Sequence, residues 1–223
     1  MKPPLCVKVK ICGITNRDDA LAAIDAGADA LGFNLFSGSR RAMRLEALLP
    51  WLPSLVGGTL RVAVLVNPSI DEIRRVQPHF DAIQLHGQET PALCAEAFHL
   101  CSEASGMLWK AFPLTPDFDA ASAAAFQAHG IVIDSSVPGA FGGTGALIDL
   151  DRAADFVRAC PARPVWLSGG LHPANIAAAV EKVRPFGVDV ASGVELPGDP
   201  RRKDSARVRA FIAAARQAAT SVQ

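Results

Sequence analysis

The sequence predicts one α/β domain over residues 1–223, a closed (β/α)8 barrel of the TIM type. Three observations carry the expectation. Eight short apolar, β-branched runs recur along the chain, each followed by a longer stretch of helical period. Their first residues lie 23, 31, 21, 25, 23, 34 and 23 positions apart, room each time for a strand, a crossover helix and two loops. No Pro/Gly-rich linker and no shift of composition divides the series. The competing architecture, an open doubly wound sheet, has about five or six strands and one glycine-rich turn after the first. Here the glycines cluster after the sixth, seventh and eighth runs.

In chain order, the first strand is expected over Val7 to Gly13. A helix over Asp18 to Ala26 follows, introduced by Thr15 and Asn16 and ended by Gly27 as a C-cap glycine. The second strand covers Ala30 to Phe36 and the third Arg61 to Val66. Asn67-Pro68-Ser69 then opens a helix over Asp71 to Val76. Strands four and five fall on Ala82 to Gly87 and Met107 to Phe112, and the alanine-rich stretch Ala120 to Ala125 reads as helix five. Strand six is Gly130 to Ser136, before a helix over Asp149 to Ala159. Strand seven is Pro164 to Gly170, with its helix over Pro173 to Val183 started by His172-Pro173. Strand eight, Gly187 to Gly193, precedes a last helix over Ser205 to Ala219.

Half of the residues are hydrophobic, and 22 Lys and Arg balance 22 Asp and Glu, so no long-range field draws the chain toward polyanions. The clusters Arg40-Arg41-Arg44 and Arg201-Arg202-Lys203 are short and read as solvated surface. No run of about 18 uncharged apolar residues occurs. The first ten residues carry three lysines and two prolines. The expectation is a cytoplasmic protein with no export signal, no membrane span and no nucleic-acid partner. Five cysteines at irregular spacing, without a CxxC pair or a zinc-like Cys/His pattern, suggest reduced thiols and no metal.

In such a barrel the chemistry sits at the C-terminal ends of the strands. Ser168-Gly169-Gly170 and Ser192-Gly193 fall in the last two loops, where backbone N–H groups can approach an anion without Cβ obstruction, and point to a phosphate. Asp134 ends strand six behind an apolar run. Burial would keep a proton on it for donation, although an N-cap or a salt bridge fits the sequence equally well. Cys12 ends strand one before a glycine; it is a nucleophile or base if a cation lowers its pKa, and a small buried hydrophobe otherwise. Arg41, after strand two, offers a planar fork to a carboxylate. His86 reads as a hydrogen-bonded structural residue. The loop after strand six, with Gly142, Gly143, Thr144 and Gly145, reads as a lid.

Together these residues resemble the phosphoribosylanthranilate isomerase family of tryptophan biosynthesis over nearly the whole chain. The resemblance runs through KICGIT at Lys10 to Thr15, GADALGF at Gly27 to Phe33, SxR at Ser39 to Arg41, VLVN at Val64 to Asn67 and QLHG at Gln84 to Gly87. It continues through the Asp134 strand with its GGTG loop, SGGLHPAN at Ser168 to Asn175, and DVASGVE at Asp189 to Glu195 followed by Lys203-Asp204. Residues Asp199 to Arg202 lengthen the loop after strand eight relative to the family pattern.

The resemblance implies an Amadori rearrangement of a phosphorylated sugar, without cofactor or metal, by a chain more often monomeric than dimeric. It makes Cys12 the general base and Asp134 the general acid. It also turns Arg41 toward the anthranilate carboxylate and Asp189 toward the substrate amine, and lays the phosphate on Gly169, Gly170, Ser192 and Gly193. One group must begin protonated and the other ionised, so the site is expected to push the two pKa values in opposite directions.

Overall fold

A computed structural model of the chain describes residues 7–135 and 147–221. Eight parallel strands close into a barrel: β1 (Lys8–Cys12), β2 (Ala30–Asn34), β3 (Leu60–Leu65), β4 (Ala82–Leu85), β5 (Met107–Pro113), β6 (Gly130–Asp134), β7 (Val165–Leu167) and β8 (Gly187–Val190). Between them run α1 (Arg17–Asp25), α2 (Leu45–Leu48), α3 (Ile70–Val76), α4 (Pro91–Glu103), α5 (Ala120–Ala124), α6 (Leu150–Ala159) and α7 (Ile176–Val183). A hairpin of β9 (Glu195–Leu196) and β10 (Asp199–Lys203) comes before the closing helix α8 (Ser205–Ser221). The ring shuts where β1 pairs with β8, with Lys10 opposite Asp189.

Helix starts are set by short polar side chains. Asn16 accepts from Asp19 N at 2.9 Å, Ser69 from Glu72 N at 3.2 Å, and Asp204 from Ala206 N at 2.9 Å, each satisfying an orphan donor of the first turn. Gly27 follows α1 with φ of +92° and donates to Ile24 O, as a C-terminal glycine should.

The strands are buried on both faces, and alternation sorts their residues. One set, including Ile11, Phe33, Leu85, Ile133 and Val188, packs against the helices. The other, Ala30, Val62, Ala82, Trp109, Ala111, Val132 and Trp166, forms a separate cluster inside the ring. The indoles of Trp109 and Trp166 stack there, centroids 4.8 Å apart, and fill the floor. Small neighbours leave them room: a Cβ on Gly187 would clash with Trp166 at 2.4 Å, and one on Gly130 would press on Trp109 at 3.2 Å. One layer up, the inward residues are Lys10, Gly32, Gln84 and Asp189, so the interior turns polar toward the mouth.

Several expected boundaries move. Strand seven ends at Leu167 because Gly169 and Gly170 adopt φ of +101° and +65° and turn the chain out of the sheet. Strand eight ends at Val190, where Ala191 leaves the extended conformation and leads into a 3-10 turn over Ser192–Val194. The seventh helix begins at Ile176, not Pro173. Asn175 accepts from His172 N at 2.8 Å and donates to Gly170 O at 3.0 Å, which holds residues 172–175 as a turn. The expected lid residues Gly142, Gly143, Thr144 and Gly145 lie outside the described residues, as does Cys6. Among the described residues no helix is long and apolar enough to cross a membrane.

Gly187→Ala is expected to cost about 1–3 kcal/mol through overpacking against Trp166. The measurement is the urea midpoint with an unchanged m-value; an unshifted midpoint would disprove the packing account of the barrel floor.

Candidate active site

Cys12 ends β1 on the inward side, two residues above Lys10. The residue opposite it on β2 is Gly32, where a Cβ would lie 2.7 Å from the Cys12 Sγ and 3.1 Å from Lys10 Cε. The missing side chain therefore lets the thiol and the lysine stem meet. Lys10 has no exposed surface, and its Nζ lies 2.6 Å from Asp189 Oδ2. Burial opposes the charge on Lys10, but Asp189 outweighs it and holds the ammonium above the ordinary lysine range.

The thiol departs from expectation. Burial pushes Cys12 above the usual thiol range, Lys10 pulls it back, Asp189 adds to the rise and Lys203 opposes it, leaving a net increase. The expected downward push on the Cys12 thiol is thus corrected to an upward one, because burial outweighs the neighbouring cations. Cys94 and Cys101 are buried in α4, and burial pushes both to about 11, which leaves them a packing role.

Asp134 ends β6 and is 5% exposed. Its Oδ1 accepts from Ser135 N at 2.8 Å, and its Oδ2 lies 3.3 Å from His86 Nε2. It lines a small cavity with Ser168, Gly169, Gly170, Asp189 and Ser192. Asp189 joins the two flanks: it borders the cavity of Asp134 and also holds the lysine that meets Cys12. Its Oδ1 is buried and has no hydrogen-bond partner among the described residues.

The loops after β6, β7 and β8 pack backbone on backbone around this cavity. A Cβ on Gly169 would lie 2.6 Å from Ser135 N, and one on Gly193 2.0 Å from Leu171 O. The N–H groups of Gly169 and Gly170 make no hydrogen bond among the described residues and remain available to an anion. Gly193 lines the adjacent groove with His172 and Arg207, and its missing Cβ lets the two loops meet.

Arg41 is buried whereas Arg40 is exposed, so the structure turns Arg41 inward. Its side chain lies across Gly13, where a Cβ would lie 2.3 Å from Arg41 Cδ and where φ of +76° also favours glycine. Nε and Nη2 donate to the two oxygens of Glu195, the second at 3.0 Å, and Nη1 makes no hydrogen bond among the described residues. Lys203 Nζ reaches the same carboxylate at 3.1 Å and Ala191 O at 3.0 Å. Burial opposes ionisation of Glu195, but Arg41 and Lys203 hold it below the ordinary carboxylate range. The lengthened loop forms the β9–β10 hairpin and ties three loops together. Arg201 Nη1 donates to Ala42 O at 3.0 Å, Thr15 Oγ1 donates to Arg201 O, and Lys203 N donates to Asp19 Oδ2 at 2.7 Å.

Sequence reasoning missed Lys10, Glu195, Lys203 and the contact of His86 with Asp134. Lys10 had a signal, since it shares a strand face with Cys12 two positions away. The other contacts join residues far apart in the chain.

A family model described as N-(5′-phosphoribosyl)anthranilate (PRA) isomerase matches residues 9–214. The N-(5′-phosphoribosyl)anthranilate isomerase of Chromohalobacter salexigens is 42% identical over 211 residues, covering 92% of each chain. The phosphoribosyl anthranilate isomerase structure from Thermus thermophilus superposes with a TM-score of 0.81 at 32% identity, covering 93% of this chain and 98% of that one. A phosphoribosyl anthranilate isomerase in complex with reduced 1-(o-carboxyphenylamino)-1-deoxyribulose 5-phosphate superposes with a TM-score of 0.77 at 32% identity, covering 95% and 99%.

The surroundings of Cys12 make its alkylation a direct test. With iodoacetamide, the pH at which the Cys12 peptide becomes half-reactive by mass spectrometry is expected above the ~8.5 of a free thiol, and higher still in Lys10→Met. Reaction at neutral pH faster than that of a free peptide thiol would contradict the burial described here.

Proposed function

The chain belongs to the N-(5′-phosphoribosyl)anthranilate isomerase family, and from that premise we propose how the residues of its barrel mouth carry out the reaction. The enzyme catalyses the Amadori rearrangement of N-(5′-phosphoribosyl)anthranilate to 1-(2-carboxyphenylamino)-1-deoxyribulose 5-phosphate in tryptophan biosynthesis. The observation that carries the residue assignment is the position of Asp189, which borders the cavity of Asp134 and holds the lysine beside Cys12.

The substrate's three polar parts each find a partner of suitable chemistry. The phosphate takes the N–H groups of Gly169, Gly170 and Ser192, in loops that Gly193 packs together. The anthranilate carboxylate takes Nη1 of Arg41, the edge of the fork that Glu195 leaves open. The secondary amine donates to Oδ1 of Asp189, an acceptor whose burial without a partner is costly until a donor arrives.

Asp134 donates a proton to the ring oxygen as the bond from that oxygen to C1′ breaks. The amine lone pair closes an iminium, which acidifies the hydrogen on C2′. Cys12 removes that hydrogen, and the electrons of the C–H bond form the C1′=C2′ bond of an enolamine. Return of a proton to C1′ and loss of one from the C2′ hydroxyl give the ketone. Every electron pair stays within the substrate, so the steps call for proton transfer alone.

Ring opening precedes abstraction at C2′ because only the iminium makes that hydrogen acidic, and the positive charge formed there favours ionisation of a thiol that burial otherwise pushes up. Lys10 and Lys203 supply standing positive potential on the same side. We further propose that the chain acts in the cytoplasm as a monomeric, single-domain barrel over residues 1–223, on a phosphorylated small molecule and without nucleic-acid or membrane partners.

Cys12→Ser and Asp134→Asn are each expected to slow turnover by about 10²- to 10⁴-fold, followed by the fluorescence of phosphoribosylanthranilate. Undiminished rates in both would remove the mechanism. The wild-type gene should restore growth of a tryptophan auxotroph lacking this isomerase; rescue of a histidine auxotroph alone would reverse the substrate assignment.

A further inference from the structure

The proposed acid has a neighbour that the reaction scheme does not use. His86 directly follows β4, and its N–H donates to Leu65 O at 2.8 Å, so its backbone continues the sheet and its ring has a fixed origin. Nε2 lies 3.3 Å from Asp134 Oδ2. On the other side of the ring, Nδ1 lies 3.0 Å from Nε2 of Gln84, the fully buried residue one layer below on the same strand face. A polar chain thus runs from the barrel interior through an imidazole to the carboxyl group at the mouth.

The direction of that chain follows from chemistry. With the Gln84 amide nitrogen toward the ring, Nδ1 accepts from it and the ring's hydrogen falls on Nε2, on the side of Asp134. If the amide were turned over, Nδ1 would carry the hydrogen and Nε2 would present a lone pair to Oδ2. The carboxylate left after proton donation would then lack its donor and face repulsion. The other ionised groups packed nearby, Glu89 and Lys110, pair with each other at 2.9 Å. They hold Gly87, the residue after His86, by its N–H and its carbonyl. They leave the imidazole to Asp134.

We propose that Gln84 and His86 form a positioning pair for the general acid: Gln84 sets the tautomer of His86, and His86 Nε2–H orients Asp134 and stabilises the carboxylate formed when its proton leaves. The proposal rests on the assignment of Asp134 as the acid. It follows the same logic by which an acid–base residue elsewhere is oriented by a third group that never touches the substrate.

The test is single-turnover decay of phosphoribosylanthranilate fluorescence, with enzyme in excess so that product release does not mask chemistry. In His86→Phe the single-turnover rate should fall by roughly 10- to 100-fold with KM little changed. His86→Asn, which can still present an N–H, should fall in between. In an Asp134→Asn background, His86→Phe should cause no further loss, because there is no acid left to orient. The ¹⁵N spectrum of the wild-type enzyme reads the tautomer directly and does not depend on any variant folding. It should show a protonated Nε2 and an unprotonated Nδ1 at His86. Unchanged single-turnover rates in both His86 variants, an equal loss in the Asp134→Asn background, or a ring protonated on Nδ1 alone would each overturn the proposal. Full activity in Asp134→Asn would instead overturn the assignment of the acid on which it rests.

Discussion

A lysine ammonium with no exposed surface, 2.6 Å from an aspartate, closes the barrel between its first and last strands. Neither charge is tolerable there alone, and losing one partner of such a pair costs about 3–5 kcal/mol because the other is left buried and uncompensated. The mouth depends on this constraint. The pair leaves Asp189 with one oxygen spare, and it places a cation against Cys12. Gly32 makes the arrangement possible, since any larger residue would occupy the volume that sulfur and lysine share.

A second set of buried charges does for Arg41 what the first does for Cys12. A lone arginine on a long loop loses side-chain entropy when it is fixed on a ligand. Here Glu195 holds the fork from below, Lys203 holds Glu195, and the β9–β10 hairpin delivers both while stitching itself to the loops after β1 and β2. The cost of order is met by the fold before any ligand arrives. Residues Asp199 to Arg202, which lengthen the eighth loop, form most of the second strand of that hairpin.

Much of this was legible in the sequence, and the limits have physical causes. Strand number and order followed from repeated apolar runs. Cys12 and Asp134 stood out at strand ends with two readings each, and it was the family resemblance that gave them and Asp189 their roles. The starts of α1 and α3 were readable because Asn16 and Ser69 cap them through purely local bonds. Pro173 misled, because the hydrogen bonds of Asn175 win over an early helix start. The protonation of Cys12 was beyond reach, since it is a balance between burial and charges contributed by β1, β8 and β10. His86 was read as a hydrogen-bonded residue, and Gln84 on its own strand supplies that bond, but the approach of its ring to Asp134 on β6 exists only once the barrel closes.

The stacked indoles of Trp109 and Trp166, set against Gly130 and Gly187, make the barrel a cul-de-sac. Reactant and product must use the same doorway, on the side where the charged residues stand. Traffic is therefore strictly alternating: a departing ketone has to clear the threshold before the next amine can enter, and whatever narrows that opening slows arrival and exit alike.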